Sequence, residues 1–311
     1  MVTVADDQKV RIAWLYYMEG KTQDEIATIV GTNRARVLRI LAQARADGTV
    51  QIKVTSRMSH CIRLEMELKR KCALDTAIVV PSPEDPSEVS AIIGRTLGTY
   101  LSQQIKPQMT IGLGWGSTLS AGISAIEPRN HMGISVISML GGLTRVSKIN
   151  PSEFAWRVAD RLAADCNLIA APVFAPDNET REKLLAHSGI NEVIDQGRRL
   201  DMAVVSVGNL SPECTFTQYG LLDKDEIISL EQAGAVGDIL CRFVDKDGKI
   251  IDHPVNDRVV AVDPRNLTSA REIVLASGGW QKIAAMRAAI RLLKPTTIIT
   301  DSIVAEWLLQ D

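Results

Sequence analysis

Residues 109–118 read MTIGLGWGST, and the fold class turns on this stretch. Met109 to Leu113 is a short apolar run of the kind that forms a strand buried on both faces. Gly112, Gly114 and Gly116 fall at alternate positions, and Ser117 and Thr118 precede a helical segment from Leu119 to Ile126. Strand, glycine turn and helix start together make one unit of an α/β fold. The glycines let backbone N–H groups approach an anion, the helix start adds partial positive charge, and the hydroxyls add donors, so the loop suits a phosphate. A structural turn with no ligand is the alternative. The dinucleotide fingerprint does not fit, because counting from Gly112 its third glycine falls on Ser117, and no lysine follows the last glycine as a P-loop requires.

The same alternation runs outward through residues 76–311. Strands are expected at Thr76–Val80, Met109–Leu113, Gly133–Met139, Leu168–Ala171, Met202–Val207, Asp238–Val244, Val259–Val262, Glu272–Ala276 and Thr297–Thr300. Helical segments at Ser87–Gln104, Pro151–Asp165, Lys224–Gln232 and Gln281–Leu293 lie between them. The pattern implies a mainly parallel sheet covered on both faces, with ligands gathering where strands end and helices begin. Two more such ends are rich in small residues, Leu140-Gly141-Gly142 and Ser277-Gly278-Gly279-Trp280-Gln281-Lys282. Lys282 has the reach to meet an anion at those glycines as a point charge, or it is a solvated helix lysine. Asp238 has two readings also, as an acceptor for sugar hydroxyls or as the end of a turn.

The N-terminal segment has a different character. Net charge is −2 over 311 residues, but residues 1–60 carry +3 and the remainder −5. A small basic head on an acidic body suits a module that meets a polyanion. Val10, Ala13, Trp14 and Tyr17 recur at i, i+3, i+4 and i+7, giving a first helix that Gly20 ends. Thr22 with Glu25 three residues on forms a capping box ahead of Ile26, Ala27 and Val30. Gly31 closes that helix, and Asn33 caps a third with Val37, Ile40, Leu41 and Ala44 inward, before Asp47-Gly48 stops it. Three short helices with a glycine between the second and third fit a helix-turn-helix, whose last helix enters the major groove of double-stranded DNA. Asn33, Arg34, Arg36, Arg39 and Gln43 are the groove candidates, arginine being suited to guanine and glutamine to adenine. The alternative is a solvated charged face on a dimerisation bundle. Val50, Ile52 and Val54 then alternate as one short strand, and residues 57–72 read as a helix with Met58, Ile62, Leu64, Met66 and Leu68 among charges. That helix is either a linker making dimer contacts or a surface helix of the second domain.

Other constellations exclude more than they suggest. The four histidines lack metal-ligand spacing, and no G-x-S-x-G elbow pairs a nucleophile with a base. Five scattered cysteines, an odd number without a C-x-x-C pair, read as reduced thiols. Trp14 and Trp156 are expected in the core, and Trp115 and Trp280 sit within glycine-rich loops where a ligand would lie. With no long apolar span and no apolar leader followed by a cleavage site, a cytoplasmic location and no membrane partner are expected.

An ordered series of motifs resembles the sorbitol-operon (SorC) family of bacterial sugar-responsive transcriptional regulators. It runs through Thr22-Gln23-Asp24-Glu25-Ile26-Ala27, Arg39-Ile40-Leu41, Ala44-Arg45 and Gly114-Trp115-Gly116-Ser117-Thr118-Leu119. It continues in Val205-Ser206-Val207-Gly208, Gly234-Ala235-Val236-Gly237-Asp238, Gly278-Gly279 with Lys282, and Thr300-Asp301. The resemblance implies an all-α helix-turn-helix head, and an α/β effector domain similar to glucosamine-phosphate deaminases and ribose-phosphate isomerases, assembled as a tetramer. It implies that Gly114 to Thr118 and Gly278 to Lys282 hold the phosphate of a sugar phosphate. Within the family the chain looks most like regulators of erythritol catabolism. It departs in its recognition helix, which lacks the common serine-rich start, and in Ser206-Val207-Gly208 where G-I-G is common. Leu140 stands where some relatives carry a lysine, which argues against a covalent effector bond.

The expected organisation is a DNA-binding head at 1–55, a linker helix at 56–75 and an effector and oligomerisation domain at 76–311. The expected function is a repressor of a sugar or polyol catabolic operon, controlled by a phosphorylated sugar or polyol, self-associating as a dimer or tetramer, with no cofactor and no metal. The rival is a sugar-phosphate isomerase or deaminase with an accessory head, for which Asp238, Asp201 and Glu153 would be the candidate acids.

Overall fold

The computed structural model describes residues 4–50, 57–129, 133–144, 150–211 and 214–310. It divides into two compact units, Met1–Ser56 and Arg57–Asp311.

In the first unit, helices Val4–Tyr17, Gln23–Ile29 and Arg34–Ala46 pack around Ile12, Leu15, Ile26, Val37 and Leu41. Both halves of the capping box form: Glu25 N–H donates to Thr22 Oγ1 at 3.3 Å, and Thr22 N–H donates to the Glu25 carboxylate at 2.7 Å. Asn33 Oδ1 accepts the Arg36 N–H at 2.9 Å. The first helix is rotated from the expected phase. Val10 and Trp14 are 51% and 56% exposed, whereas Ile12, Ala13 and Leu15 are buried. A helix apolar at adjacent positions offers two stripes, and contact with its neighbours selects one. The strand expected from Val50 through Val54 lies outside the described residues from position 51 on.

The second unit is built on seven parallel strands among the described residues. These are β1 (Thr76–Val80), β2 (Thr110–Leu113), β3 (Ser135–Gly142), β4 (Asp165–Pro172), β5 (Met202–Val205), β9 (Glu272–Ala276) and β10 (Thr297–Asp301). β6 (Val207–Gly208), β7 (Ala235–Ile239) and β8 (Arg242–Asp245) form a small antiparallel sheet. The large sheet has the order β1-β10-β9-β5-β2-β3-β4. Successive residues point to opposite faces, so Ile111, Val136 and Val204 enter one core layer while Ile137, Ala203 and Val205 enter the other. From β2 the chain builds outward through β3 and β4, and from β5 it builds the opposite way through β9 and β10. The direction reverses between neighbours β2 and β5, which is the topological switch point where open α/β sheets take ligands.

Several expected elements differ. Asp238–Val244 is no single strand but a hairpin, turning at Leu240 and Cys241, which have φ of +51° and +61°. Val259–Val262 makes only isolated bridges, Phe174 with Val259 and Leu140 with Ala261. The segments expected as helices from Ser87 and from Gln281 begin as 3₁₀ turns at Pro86–Glu88 and Trp280–Lys282. Trp156 is 57% exposed, because the inward face of helix Pro151–Leu162 is taken by Phe154, Ala155, Val158, Ala159 and Leu162. Helix Arg57–Lys71 packs through Cys61, Leu64 and Leu68 and leaves Met58, Ile62 and Met66 exposed.

One close crossing positions the glycine loop. A Cβ on Gly94 would lie 2.4 Å from the Thr118 carbonyl oxygen, and one on Gly98 would lie 2.2 Å from that of Gly122. Helix Val89–Gln104 therefore lies backbone to backbone against Ser117–Ala121, and Ser90 Oγ comes within 3.4 Å of Ser117 Oγ and 3.3 Å of Thr118 Oγ1.

Candidate functional site

A cleft opens at the switch point. Trp115, Gly116 and Ser117 line it after β2, Ser206 to Asn209 after β5, Asp238 from β7 and Lys282 after β9. Thr215 and Phe216 complete its wall. The cavity is about 40 Å³, room for no more than two or three waters. A larger groove of about 750 Å³ lies at the other end of the strands, lined by Thr110, Ser135, Asn167 and helix Ser188–Gln196. Strand starts converge there instead of strand ends, and although Arg199, Glu192 and Asp195 also line it, no glycine turn does.

Each polar group of the cleft has a local origin. Gly116, at φ +122°, turns the chain from β2 into Ser117–Ala121, with open space where its Cβ would be. Ser117 is exposed, whereas Thr118 is buried. Lys282 is half-buried at the end of its 3₁₀ turn and donates to Ser277 Oγ at 3.4 Å. Burial lowers its ammonium pKa, and the Asp238 carboxylate opposes that shift. Asp238 is 4% exposed. Its burial raises the carboxyl pKa to about 6, against the Cys241 N–H, Lys282 and the Gly208 N–H, all of which favour the carboxylate. The Cys241 N–H reaches Asp238 Oδ2 at 2.9 Å, across the hairpin turn. Trp115 is buried edge-on to Phe216, with ring centroids 5.9 Å apart, and so forms a wall of the cleft.

The structure separates the remaining expected effector residues. Gly114 is a packing glycine beside Val204 and Leu240. Gly141 and Gly142 end β3, where a Cβ would meet the backbone of Ala171 and Pro172 or the Ser152 hydroxyl, and neither lines the cleft. At Gly278-Gly279 the second expected amide mouth is occupied internally: the Gly279 N–H donates to Asp301 Oδ2 at 2.7 Å. The Asp301 carboxylate also accepts from Ser82 Oγ, Ile303 N–H and Val304 N–H. Trp280 is 60% exposed and lines a different groove with Trp307. Asn209, Thr215 and Phe216 were not singled out in the sequence. The signal for Asn209 was its place just past an apolar strand, while Thr215 and Phe216 carry none. Asp201 precedes β5, bonding Thr110 N–H and pairing with Arg271 at 3.3 Å, so it stands at the far end of the sheet from Asp238.

In the first unit, Asn33, Arg34, Arg36, Arg39 and Gln43 are all exposed. Arg34 leans toward the start of the second helix, 3.8 Å from the Asp24 carboxylate and 3.4 Å from Gln23 Oε1. Helix Arg34–Ala46 carries four arginines and no acid. Among the described residues no cluster of metal-ligating side chains occurs, no helix is long and apolar enough to cross a membrane, and all five cysteines are free.

A polar cleft holding a lysine and hydroxyls at a sheet switch point has the place and the chemistry of a small-molecule site in an α/β domain. The comparisons agree: residues 56–310 match the family described as "Putative sugar-binding domain", and the chain belongs to that family. It is 29% identical over 311 residues to the erythritol catabolism regulatory protein EryD of Brucella abortus, covering 99% of this chain and 98% of that one. It is 26% identical to the deoxyribonucleoside regulator of Bacillus subtilis, covering 97% of each chain. The full-length sorbitol operon regulator SorC of Klebsiella pneumoniae shares the fold, with a TM-score of 0.74 at 24% identity, over 98% of this chain and 100% of that one. The chain thus carries this sugar-binding domain, and the two curated relatives are named as regulators.

Proposed function

We propose that this protein represses a sugar or polyol catabolic operon through a helix-turn-helix in residues 1–55, and that a phosphorylated sugar or polyol in the switch-point cleft relieves repression. The observation that carries the reading is the cleft itself, with Lys282 to meet a phosphate, Ser117 and the Gly116 backbone to flank it, and Asp238 to accept hydrogen bonds from hydroxyls. Two relatives named for erythritol catabolism and for deoxyribonucleosides support a polyhydroxylated ligand. In the first unit, helix Arg34–Ala46 is the recognition helix, with Arg36, Arg39 and Gln43 facing the groove and residues 56–75 leading into the effector domain.

The ligand acts by binding one arrangement of the cleft better than another. It shifts DNA affinity only by its preference for that arrangement, typically about 1–3 kcal/mol. A symmetric dimer or tetramer in the cytoplasm would present paired recognition helices to an operator with inverted half-sites. The test is a thermal-shift screen of sugar and polyol phosphates, followed by DNA-binding titrations with and without the ligand it yields. A ligand that stabilises the protein and weakens operator binding is expected. Ligands that stabilise it only without a phosphate would overturn the effector class, and tighter operator binding would reverse the sign of regulation.

A further inference from the structure

Helix Arg34–Ala46 carries a second apolar stripe that its own core does not use. Val37, Leu41 and Ala44 are buried. Ala35, Leu38 and Ala42 recur at i, i+3 and i+7, which places them along one line of the helix surface, and all three are exposed, Leu38 at 52%. This line is bordered by Arg34, Arg39 and Arg45, on a helix without a single acid. A lone exposed leucine calls for no explanation. One set between two alanines and ringed by guanidiniums is different: the alanines let the helix backbone come close to a surface, the arginines make that surface a polyanion, and only Leu38 projects an apolar group into it.

The major groove of DNA presents one apolar group, the 5-methyl of thymine. We infer that Leu38 is a specificity residue that packs on thymine methyl groups, so that each half-site holds at least one thymine read by van der Waals contact and not by a hydrogen bond. This deepens the DNA-binding role proposed above and rests on it. Arg39, next in the chain, would grip a neighbouring base or phosphate and set the depth at which Leu38 meets its methyl. The substitutable part of the interaction is small and local, one methyl group on each side.

The full chain first selects bound duplexes from a random-sequence pool. Each thymine of the selected duplex is then replaced in turn by deoxyuridine, which removes the methyl and leaves the hydrogen-bonding edge unchanged. The expected result is a loss of about fourfold in affinity at one or two positions of each half-site, the scale of one buried methyl group. Leu38→Ala, a change at an exposed site to a better helix former, should bind thymine and deoxyuridine duplexes equally. Wild-type affinity indifferent to deoxyuridine at every position overturns the inference while leaving DNA binding intact, as does a Leu38→Ala chain that keeps the full methyl discrimination. Failure to select any duplex refutes the DNA-binding reading itself.

Discussion

Gly208 and Asp238 are register partners in the small antiparallel sheet, and a Cβ on Gly208 would stand 2.1 Å from Asp238 Oδ1. The Gly208 N–H is among the donors that favour the carboxylate form. The place of the acid in the cleft is therefore set by the absence of a side chain opposite it. Gly237, one residue before Asp238, is equally confined, with the Gly208 carbonyl oxygen 2.4 Å and Ala285 Cβ 2.5 Å from its virtual Cβ.

Gly208→Ala should consequently displace the Asp238 carboxylate, costing about 1–3 kcal/mol of stability as overpacking. Effector affinity should fall about tenfold or more, since the acceptor for a ligand hydroxyl has moved. Isothermal titration with the ligand found by screening, alongside urea denaturation, measures both. An alanine variant with unchanged ligand affinity would show that Asp238 does not contact the ligand.

Burial of Asp238 makes a pH prediction whose sign runs opposite to that of a salt-bridged acid. The folded carboxyl titrates at about 6, above the ordinary 3.8. Between those values the folded state binds more protons than the unfolded state, so stability falls as pH rises toward 6 and levels off above it. The contribution is about 3 kcal/mol at most, at about 1.4 kcal/mol per unit. Asp238→Asn should lose this dependence. The wild-type stability minus that of the variant, taken from urea unfolding, should decrease from pH 4 to pH 7, and a difference independent of pH would contradict the burial of the acid.

The sequence made the large sheet legible because parallel strands covered on both faces are solid apolar runs, as at Met202–Val205 and in the Ile273 to Ala276 part of β9. The same property hid the hairpin at residues 238–244. Its two turn residues adopt positive φ as leucine and cysteine, where glycine or asparagine would have marked a turn. Val259–Val262 has the composition of a strand, but its pairing with neighbours on both sides stops at single bridges. The cleft was partly legible for a related reason. Trp115 to Ser117 and Lys282 belong to strand, turn and helix motifs, whereas Thr215 and Phe216 reach the site from a separate segment that only tertiary packing brings there. At Gly141, Gly142 and Gly278 close packing by itself demands glycine.

Lys282 offers the most direct test of phosphate recognition. Lys282→Met keeps the apolar stem and removes the charge, so it should cost about 10- to 100-fold in affinity for a phosphorylated effector, the range for hydrogen bonds to charged groups. The loss for the unphosphorylated counterpart should be much smaller. Competition binding with the two ligands separates these outcomes, and an equal loss for both would assign Lys282 to the sugar instead of the phosphate. Operator affinity without ligand should not change.

Arg39 lies on the exposed side of a helix with no acid to compete for it. If it reads a guanine through two hydrogen bonds, Arg39→Ala costs about 1–3 kcal/mol and relaxes preference at one base pair; if it holds a phosphate, the loss is uniform across sequences and the salt slope drops by about one. Binding measured against a panel of single-base operator variants at two or more salt concentrations distinguishes these two roles. Arg36, which shares that exposed face, should show one of the same two patterns. Because Lys282 and Asp238 belong to the other unit, both arginine variants should retain wild-type effector affinity. Unchanged operator affinity in both would mean that this helix face does not meet DNA.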